Sequence, residues 1–123
     1  MQNNKRPRFL SLWQISLPIT GVVPILHRLS GIFMMLLFPF LLYLLQLSLR
    51  SAEGFAQAEA IIASGPVYVG GLVLLWLFAH HLFAGIRVIL IDMEWGSELR
   101  LARRTALIVL VAALLVLIVG ALL

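Results

Sequence analysis

Three long runs of apolar residues divide the chain, and short polar or charged segments separate them. The runs cover about 21–49, 67–92 and 104–123. An α-helix rises about 1.5 Å per residue, so about 20 residues cross the hydrocarbon core of a bilayer. Each run therefore predicts one transmembrane helix. We expect an all-α integral membrane protein with a single domain over residues 1–123, in which a cytoplasmic segment, residues 1–20, precedes the first helix.

The composition agrees with a membrane setting and narrows the chemistry. Hydrophobic residues make up 63% of the chain and charged residues 11%, and cysteine is absent. Without cysteine the chain has no disulfide, no thiolate-ligated iron–sulfur cluster and no covalent c-type haem attachment. No phosphate-binding glycine motif follows a predicted strand. Any haem must be held without covalent bonds to its macrocycle, and any electrons must come from other subunits.

Basic residues lie mainly on one side of the predicted helices. They precede the first helix at Lys5, Arg6 and Arg8, and they separate the second and third at Arg100, Arg103 and Arg104. Only Arg50 borders the connection 50–64, so the N-terminus is expected to be cytoplasmic. Trp13 and Trp95 are candidate interfacial anchors.

We expect a multi-pass protein of the bacterial inner membrane without a cleaved signal peptide. Its formal net charge of +4 reflects this topology and contacts with anionic lipids rather than binding to nucleic acid.

Two adjacent histidines, His80 and His81, lie near the middle of the second apolar run. Ionisable side chains at this depth are costly and usually functional, so a haem ligand is one interpretation. An interhelical hydrogen bond is the alternative. At about 100° per residue, Gly85 shares the face of His81 and leaves room for a flat macrocycle. Arg87 shares the face of His80 and could serve a haem propionate, so the spacing alone leaves both histidines as candidates.

A second pair, His27 and Arg28, enters the first helix near its cytoplasmic edge. Arg28 can donate two hydrogen bonds to a haem propionate or a quinone oxygen, and His27 can donate or relay a proton. The alternative is that Arg28 extends to lipid phosphates while His27 caps a helix end.

These residues lie in two motifs that resemble a known family. His27-Arg28-Leu29-Ser30-Gly31 resembles the His-Arg-x-Ser-Gly signature of the cytochrome b membrane-anchor subunit of succinate dehydrogenase. His81-x-x-x-Gly85-Ile86-Arg87, followed by Asp92, resembles the second signature of that family. The likeness extends to residues 18–20, residues 53–55 and the three-helix layout, and it covers nearly the whole chain.

The resemblance implies one half of a heterodimeric haem-binding helical bundle in respiratory complex II. A second membrane-anchor subunit would supply one axial ligand of a b-type haem, and this chain would supply the other. Flavoprotein and iron–sulfur subunits would bind on the cytoplasmic side. Electrons from succinate oxidation would pass to ubiquinone or menaquinone in the tricarboxylic acid cycle and aerobic respiration. This chain alone would oxidise no succinate and would carry no catalytic residue.

The resemblance also assigns roles to individual residues. His81 is the expected iron ligand, and the other expected haem contacts are His27, Arg28, Gly85 and Arg87. The expected quinone contacts are Arg28, Ser30 and Asp92. Two positions depart from the family pattern: Pro24 replaces a serine that helps bind quinone, and Val88 replaces another histidine.

Two other functions fit the sequence. A structural anchor that holds soluble subunits of a succinate dehydrogenase or fumarate reductase at the membrane needs no haem, and its complex would show no Soret band. A subunit of a small-molecule transporter is the other alternative, but the three helices show no internal repeat or interrupted helix that would mark a pathway.

Overall fold

The computed structural model describes residues 17–123, and most of these residues lie in four α-helices. The helices are α1 (Ile19–Ser48), α2 (Ala52–Ala63), α3 (Gly65–Asp92) and α4 (Leu99–Leu122). Residues 17–123 contain no β-strand, and α1, α3 and α4 are long and apolar enough to cross a membrane. This confirms the predicted all-α fold with three transmembrane helices. The interpretations of Lys5, Arg6, Arg8 and Trp13 lie outside the described residues.

The helix α2 lies in the segment 50–64, which was predicted only as a connection between two helices. It begins after Ser51, whose Oγ accepts a hydrogen bond of 3.0 Å from the backbone N–H of Gly54. This bond satisfies one of the free N–H groups at the start of the helix. A Cβ atom at Gly54 would collide with the backbone carbonyl of Leu47, so glycine lets α2 fold back closely on α1. The available sequence signal was a capping serine followed by Glu53 in the first turn.

The helix α4 begins at Leu99, several residues before the start of its apolar run. Its first turns carry three exposed arginines, Arg100, Arg103 and Arg104. Backbone hydrogen bonding does not require apolar side chains, so a helix can extend beyond the part that fits the hydrocarbon core. The turn before α4 uses Gly96 at φ 81°, a left-handed conformation that suits glycine.

The helix α3 is the most buried of the three transmembrane helices, and it packs against α1, α2 and α4. In its most apolar window 28% of the residues are buried, against 11% in α1 and 17% in α4. The core where α1, α3 and α4 meet consists of the small residues Val23, Ala84, Ala106 and Val109. Small side chains let helices approach closely, which is how helices associate in membranes.

The two ends of the bundle differ in their number of arginines. The start of α1, the end of α3 and the start of α4 share one end, which we call the basic end because of the arginines of α4. The helix α2 lies at the opposite end, which we call the α2 end. Trp95 is exposed in the turn at the basic end. Between the ends the outer surface is largely apolar, as expected for contact with lipid or with other membrane helices.

Candidate functional site

The imidazole of His81 is held by the backbone and side chain of α1. Its Nδ1 lies 3.1 Å from Ser30 Oγ and 3.1 Å from the carbonyl oxygen of His27. The hydroxyl of Ser30 donates its own hydrogen to the same carbonyl at 2.8 Å. Because a carbonyl oxygen only accepts hydrogen bonds, the hydrogen between these atoms belongs to Nδ1. A neutral ring with Nδ1 protonated has its free lone pair on Nε2.

The Nε2 atom of His81 is a candidate ligand atom of this site. It makes no hydrogen bond with the residues described, the ring is half-buried, and Nε2 is not enclosed by protein. Within residues 17–123 no group of three or more histidine or acidic side chains could hold a bare metal ion. A single imidazole with a free Nε2 instead fits a metal that brings most of its own ligands, as haem iron does. The residues present therefore fit an axial haem ligand.

Two glycines make room for the two histidines, and each glycine lies on the opposite helix. The rings of His27 and His81 stack with centroids 4.1 Å apart and planes 23° apart. A Cβ atom at Gly31 would lie 3.0 Å from Cε1 of His81, and one at Gly85 would lie 3.3 Å from Nε2 of His27. The space at Gly85 was predicted to hold a macrocycle, but the imidazole of His27 occupies it.

The neighbouring His80 has a different environment. It is fully buried, with 0% of its surface exposed, and its ring stacks on Trp76 with centroids 5.8 Å apart. Neither ring nitrogen has a hydrogen-bond partner among the described residues. The backbone of Val23 faces the ring, but the two do not reach hydrogen-bonding geometry. A planar macrocycle has no access to His80 in this packing. The packing therefore favours His81 over His80 as the candidate haem ligand.

Arg87 lies in the interface between α3 and α4, where it is 7% exposed. Its Nε donates to Thr105 Oγ1 and its Nη2 donates to the carbonyl oxygen of Ala102, each at 3.2 Å. Thr105 Oγ1 also donates to that carbonyl. These bonds direct the side chain of Arg87 toward α4. They keep it apart from the contacts that His81 makes with α1.

The remaining predicted residues lie in three different environments. Arg28 is exposed on α1, next in sequence to His27. Ser30 is only 1% exposed, and its hydroxyl hydrogen is already bonded to a carbonyl, so a quinone contact would require that bond to break. Asp92 is exposed at the end of α3, about 16 Å along the helix axis from His81. The structure thus groups His27, Ser30 and His81, and it leaves Asp92 apart from them.

Gly31 and Thr105 had no predicted role. A signal for Gly31 was available, because its spacing from His27 equals the spacing of Gly85 from His81. Two His-x-x-x-Gly segments on antiparallel helices can pack with each imidazole on the other segment's glycine. Thr105 carried no such signal, since its contact with Arg87 depends on how α4 is rotated about its axis.

Three surface grooves lie away from the histidines. One groove of about 440 Å³ lies toward the α2 end, and its lining is apolar: Leu37, Phe40, Leu41, Leu44, Ile62, Val67, Gly70, Gly71, Val73 and Leu74. It offers no side chain able to bind a metal or transfer a proton.

Comparison with known proteins agrees with the two motifs. Residues 2–120 match the family model described as succinate dehydrogenase/fumarate reductase transmembrane subunit. The chain is also similar to the succinate dehydrogenase cytochrome b556 subunit of Coxiella burnetii (strain RSA 493 / Nine Mile phase I). The two are 29% identical over 119 residues, which cover 96% of this chain and 95% of the relative. These matches confirm the resemblance identified from the sequence.

Proposed function

Because this chain belongs to the succinate dehydrogenase/fumarate reductase transmembrane subunit family, we propose that it is the haem-binding cytochrome b anchor of a succinate:quinone oxidoreductase. In this role it helps to pass electrons from succinate oxidation to a membrane quinone. The observation that carries the proposal is the state of His81, whose Nδ1 is bonded to α1 while Nε2 is free and accessible. A b-type haem bound there would supply a one-electron redox centre.

His81 would bind the iron through Nε2. His27, stacked on that ring, would lie beside the macrocycle. His81 is the one axial ligand that we propose from this chain, so the second axial ligand would come from a second membrane-anchor subunit. Arg87 already donates hydrogen bonds to neutral groups of α4, so it could donate to an anionic propionate only with its remaining N–H groups. Arg28 is exposed and charged, and it is the better candidate for a propionate or a quinone oxygen.

The proposed arrangement has the N-terminus and the basic end on the cytoplasmic side of a bacterial inner membrane. The exposed arginines at the start of α4 support this orientation, since cytoplasmic flanks are rich in such residues. Flavoprotein and iron–sulfur subunits would then bind at the basic end. Ubiquinone or menaquinone would bind near Arg28, with Asp92 a proposed proton donor at the cytoplasmic surface. The chain itself would perform no succinate oxidation.

A haem-free structural anchor is the second candidate. The bonds of His81 to α1 favour it, because they also hold two helices together without any cofactor. The two candidates differ in one optical property: the assembled complex of a haem-binding anchor has a Soret band, and that of a structural anchor has none.

The test is the reduced-minus-oxidised optical spectrum of the assembled complex carrying His81→Ala, with His80→Ala as the matched control. We expect His81→Ala to abolish the b-type signal, because it removes an iron ligand. His80→Ala should keep the signal, because that ring is enclosed and makes no hydrogen bond with the described residues. The flavin content of each preparation shows whether the complex has assembled. A wild-type complex without haem, or loss of the signal in the His80 variant alone, would overturn the proposal.

A further inference from the structure

The contacts of Ser30 point to a role that differs from quinone binding. Ser30 is buried in α1 with 1% of its surface exposed, and its Oγ contacts both the carbonyl oxygen of His27 and Nδ1 of His81. The hydroxyl gives its hydrogen to the carbonyl, so its lone pairs face Nδ1–H. Two acceptors on α1 thus receive the single N–H of an imidazole on α3.

We propose that the α1 segment His27–Gly31 positions and tunes His81 as an iron ligand. Within it, Ser30 Oγ and the His27 carbonyl accept the Nδ1–H bond, and Gly31 leaves space for the ring. This inference rests on the proposed function, because it assigns these residues a task only if His81 binds iron. Ser30 and Gly31 are positioning residues here, since they act through His81 and not on the metal.

The chemical effect follows from the hydrogen bond at Nδ1. An acceptor at Nδ1–H fixes the tautomer and the ring orientation, and it makes Nε2 a stronger electron donor. A stronger donor stabilises ferric iron more than ferrous iron, so it lowers the reduction potential of the haem. Loss of the Ser30 hydroxyl would leave only the His27 carbonyl as acceptor. The potential would then rise.

The effect of Gly31 is steric and does not depend on the electron density of the imidazole. A Cβ atom at this position would lie 3.0 Å from Cε1 of His81, closer than an ordinary van der Waals contact. The ring would have to move away from α1, and its Nδ1 would move away from both acceptors. Alanine at Gly31 should therefore lower the affinity for haem, whereas loss of the Ser30 hydroxyl should mainly shift the potential.

The test compares Ser30→Ala with Ser48→Ala in the assembled complex. Ser48 is a matched control because its Oγ makes the same bond within α1, 2.8 Å to the carbonyl oxygen of Leu45, without contacting a histidine. We expect Ser30→Ala to weaken ferric relative to ferrous binding by up to about tenfold. For a one-electron couple this ratio raises the midpoint potential by up to about 59 mV. Ser48→Ala should leave both the potential and the low-spin ferric EPR spectrum unchanged.

The second comparison is Gly31→Ala with Gly21→Ala, measured as haem bound per flavin. The nearest atom to a Cβ at Gly21 lies 3.9 Å away, so that variant adds a methyl group without a clash. We expect haem content to fall several-fold in Gly31→Ala and to stay at the wild-type level in Gly21→Ala.

The outcomes separate this inference from the proposed function. If the wild-type complex binds haem through His81 but Ser30→Ala keeps the wild-type potential and EPR spectrum, the positioning role of Ser30 is wrong while the proposed function stands. If Gly31→Ala keeps full haem content, the role of Gly31 is wrong. A wild-type complex without haem would contradict both proposals.

Discussion

The position of one hydrogen atom on His81 decides whether this side chain can bind iron. The carbonyl oxygen of His27 and the hydroxyl of Ser30 both favour that hydrogen on Nδ1, which leaves Nε2 free. Hydrogen bonds between membrane helices average only about 0.6 kcal/mol. Such bonds add little to the stability of the bundle. Their larger effect is on the direction and electron density of the imidazole.

The proposed contact of Arg28 with quinone can be tested by a single substitution. It is exposed on α1 beside the histidine pair, and we expect its guanidinium to donate a charged hydrogen bond to a quinone oxygen. Such bonds contribute about 1.5–3 kcal/mol, so Arg28→Gln should raise the KM for quinone about tenfold or more. Steady-state succinate:quinone reductase assays of the assembled complex measure this change.

The control for Arg28 is Arg50→Gln, which removes an exposed arginine between α1 and α2 at the opposite end of the bundle. It should leave the KM for quinone unchanged. Equal effects of the two substitutions, or a wild-type KM in Arg28→Gln, would show that Arg28 does not contact the quinone.

At the scale of single helices, α3 forms hydrogen bonds to α1 through one residue and to α4 through another. His81 bonds to α1, while Arg87 bonds to Thr105 and to the carbonyl of Ala102 on α4. Near the other end of α4, a Cβ at Gly120 would collide with the side chain of Leu75, so glycine allows close packing there as well. The rotation of α3, and with it the direction of His81, is therefore set from two sides.

Thr105→Val tests the contact between α3 and α4. Valine has nearly the shape of threonine but no hydroxyl, so Nε of Arg87 loses its partner in a buried interface. We expect the assembled complex to lose about 0.6–2 kcal/mol of stability. Thermal inactivation of reductase activity measures the change. Thr105→Ser, which keeps the hydroxyl, should stay close to wild type, and a Val variant as stable as wild type would contradict this role.

The sequence predicted some helices better than others for a physical reason. Apolar runs of about 20 residues or more have one stable arrangement in a bilayer, so α1, α3 and α4 were predictable from length and composition. The helix α2 has 12 residues and forms through its serine cap and its packing on α1 and α3. Neither feature produces a long apolar run. The start of α4 extends past its run because arginines are compatible with a helix in water or among headgroups.

The site was predictable in part. The spacing within the helix α3 indicated a common face for His81 and Gly85 and another for His80 and Arg87. The contact of His81 with Ser30 and the occupation of the space at Gly85 by His27 were missed. Both depend on the register between α1 and α3, which the spacing within one helix does not specify.

At the scale of the whole molecule, the bundle has an apolar outer surface, and His81 is the one imidazole that we propose as an iron ligand. Large side chains such as Met35, Leu36 and Leu122 are 70–82% exposed, which is compatible with lipid or with the helices of another membrane subunit. A haem with two axial histidines would require a second chain. The molecule described here is therefore proposed to be one half of a larger redox bundle.

The most direct measurement is a high-resolution density map of the assembled membrane complex. It should show haem iron bonded to Nε2 of His81, a histidine of the second membrane-anchor subunit on the opposite side, and Nδ1 still bonded to Ser30 and the His27 carbonyl. A map in which Nε2 of His81 contacts only protein or lipid, or in which iron is bound to His80, would contradict the proposed function.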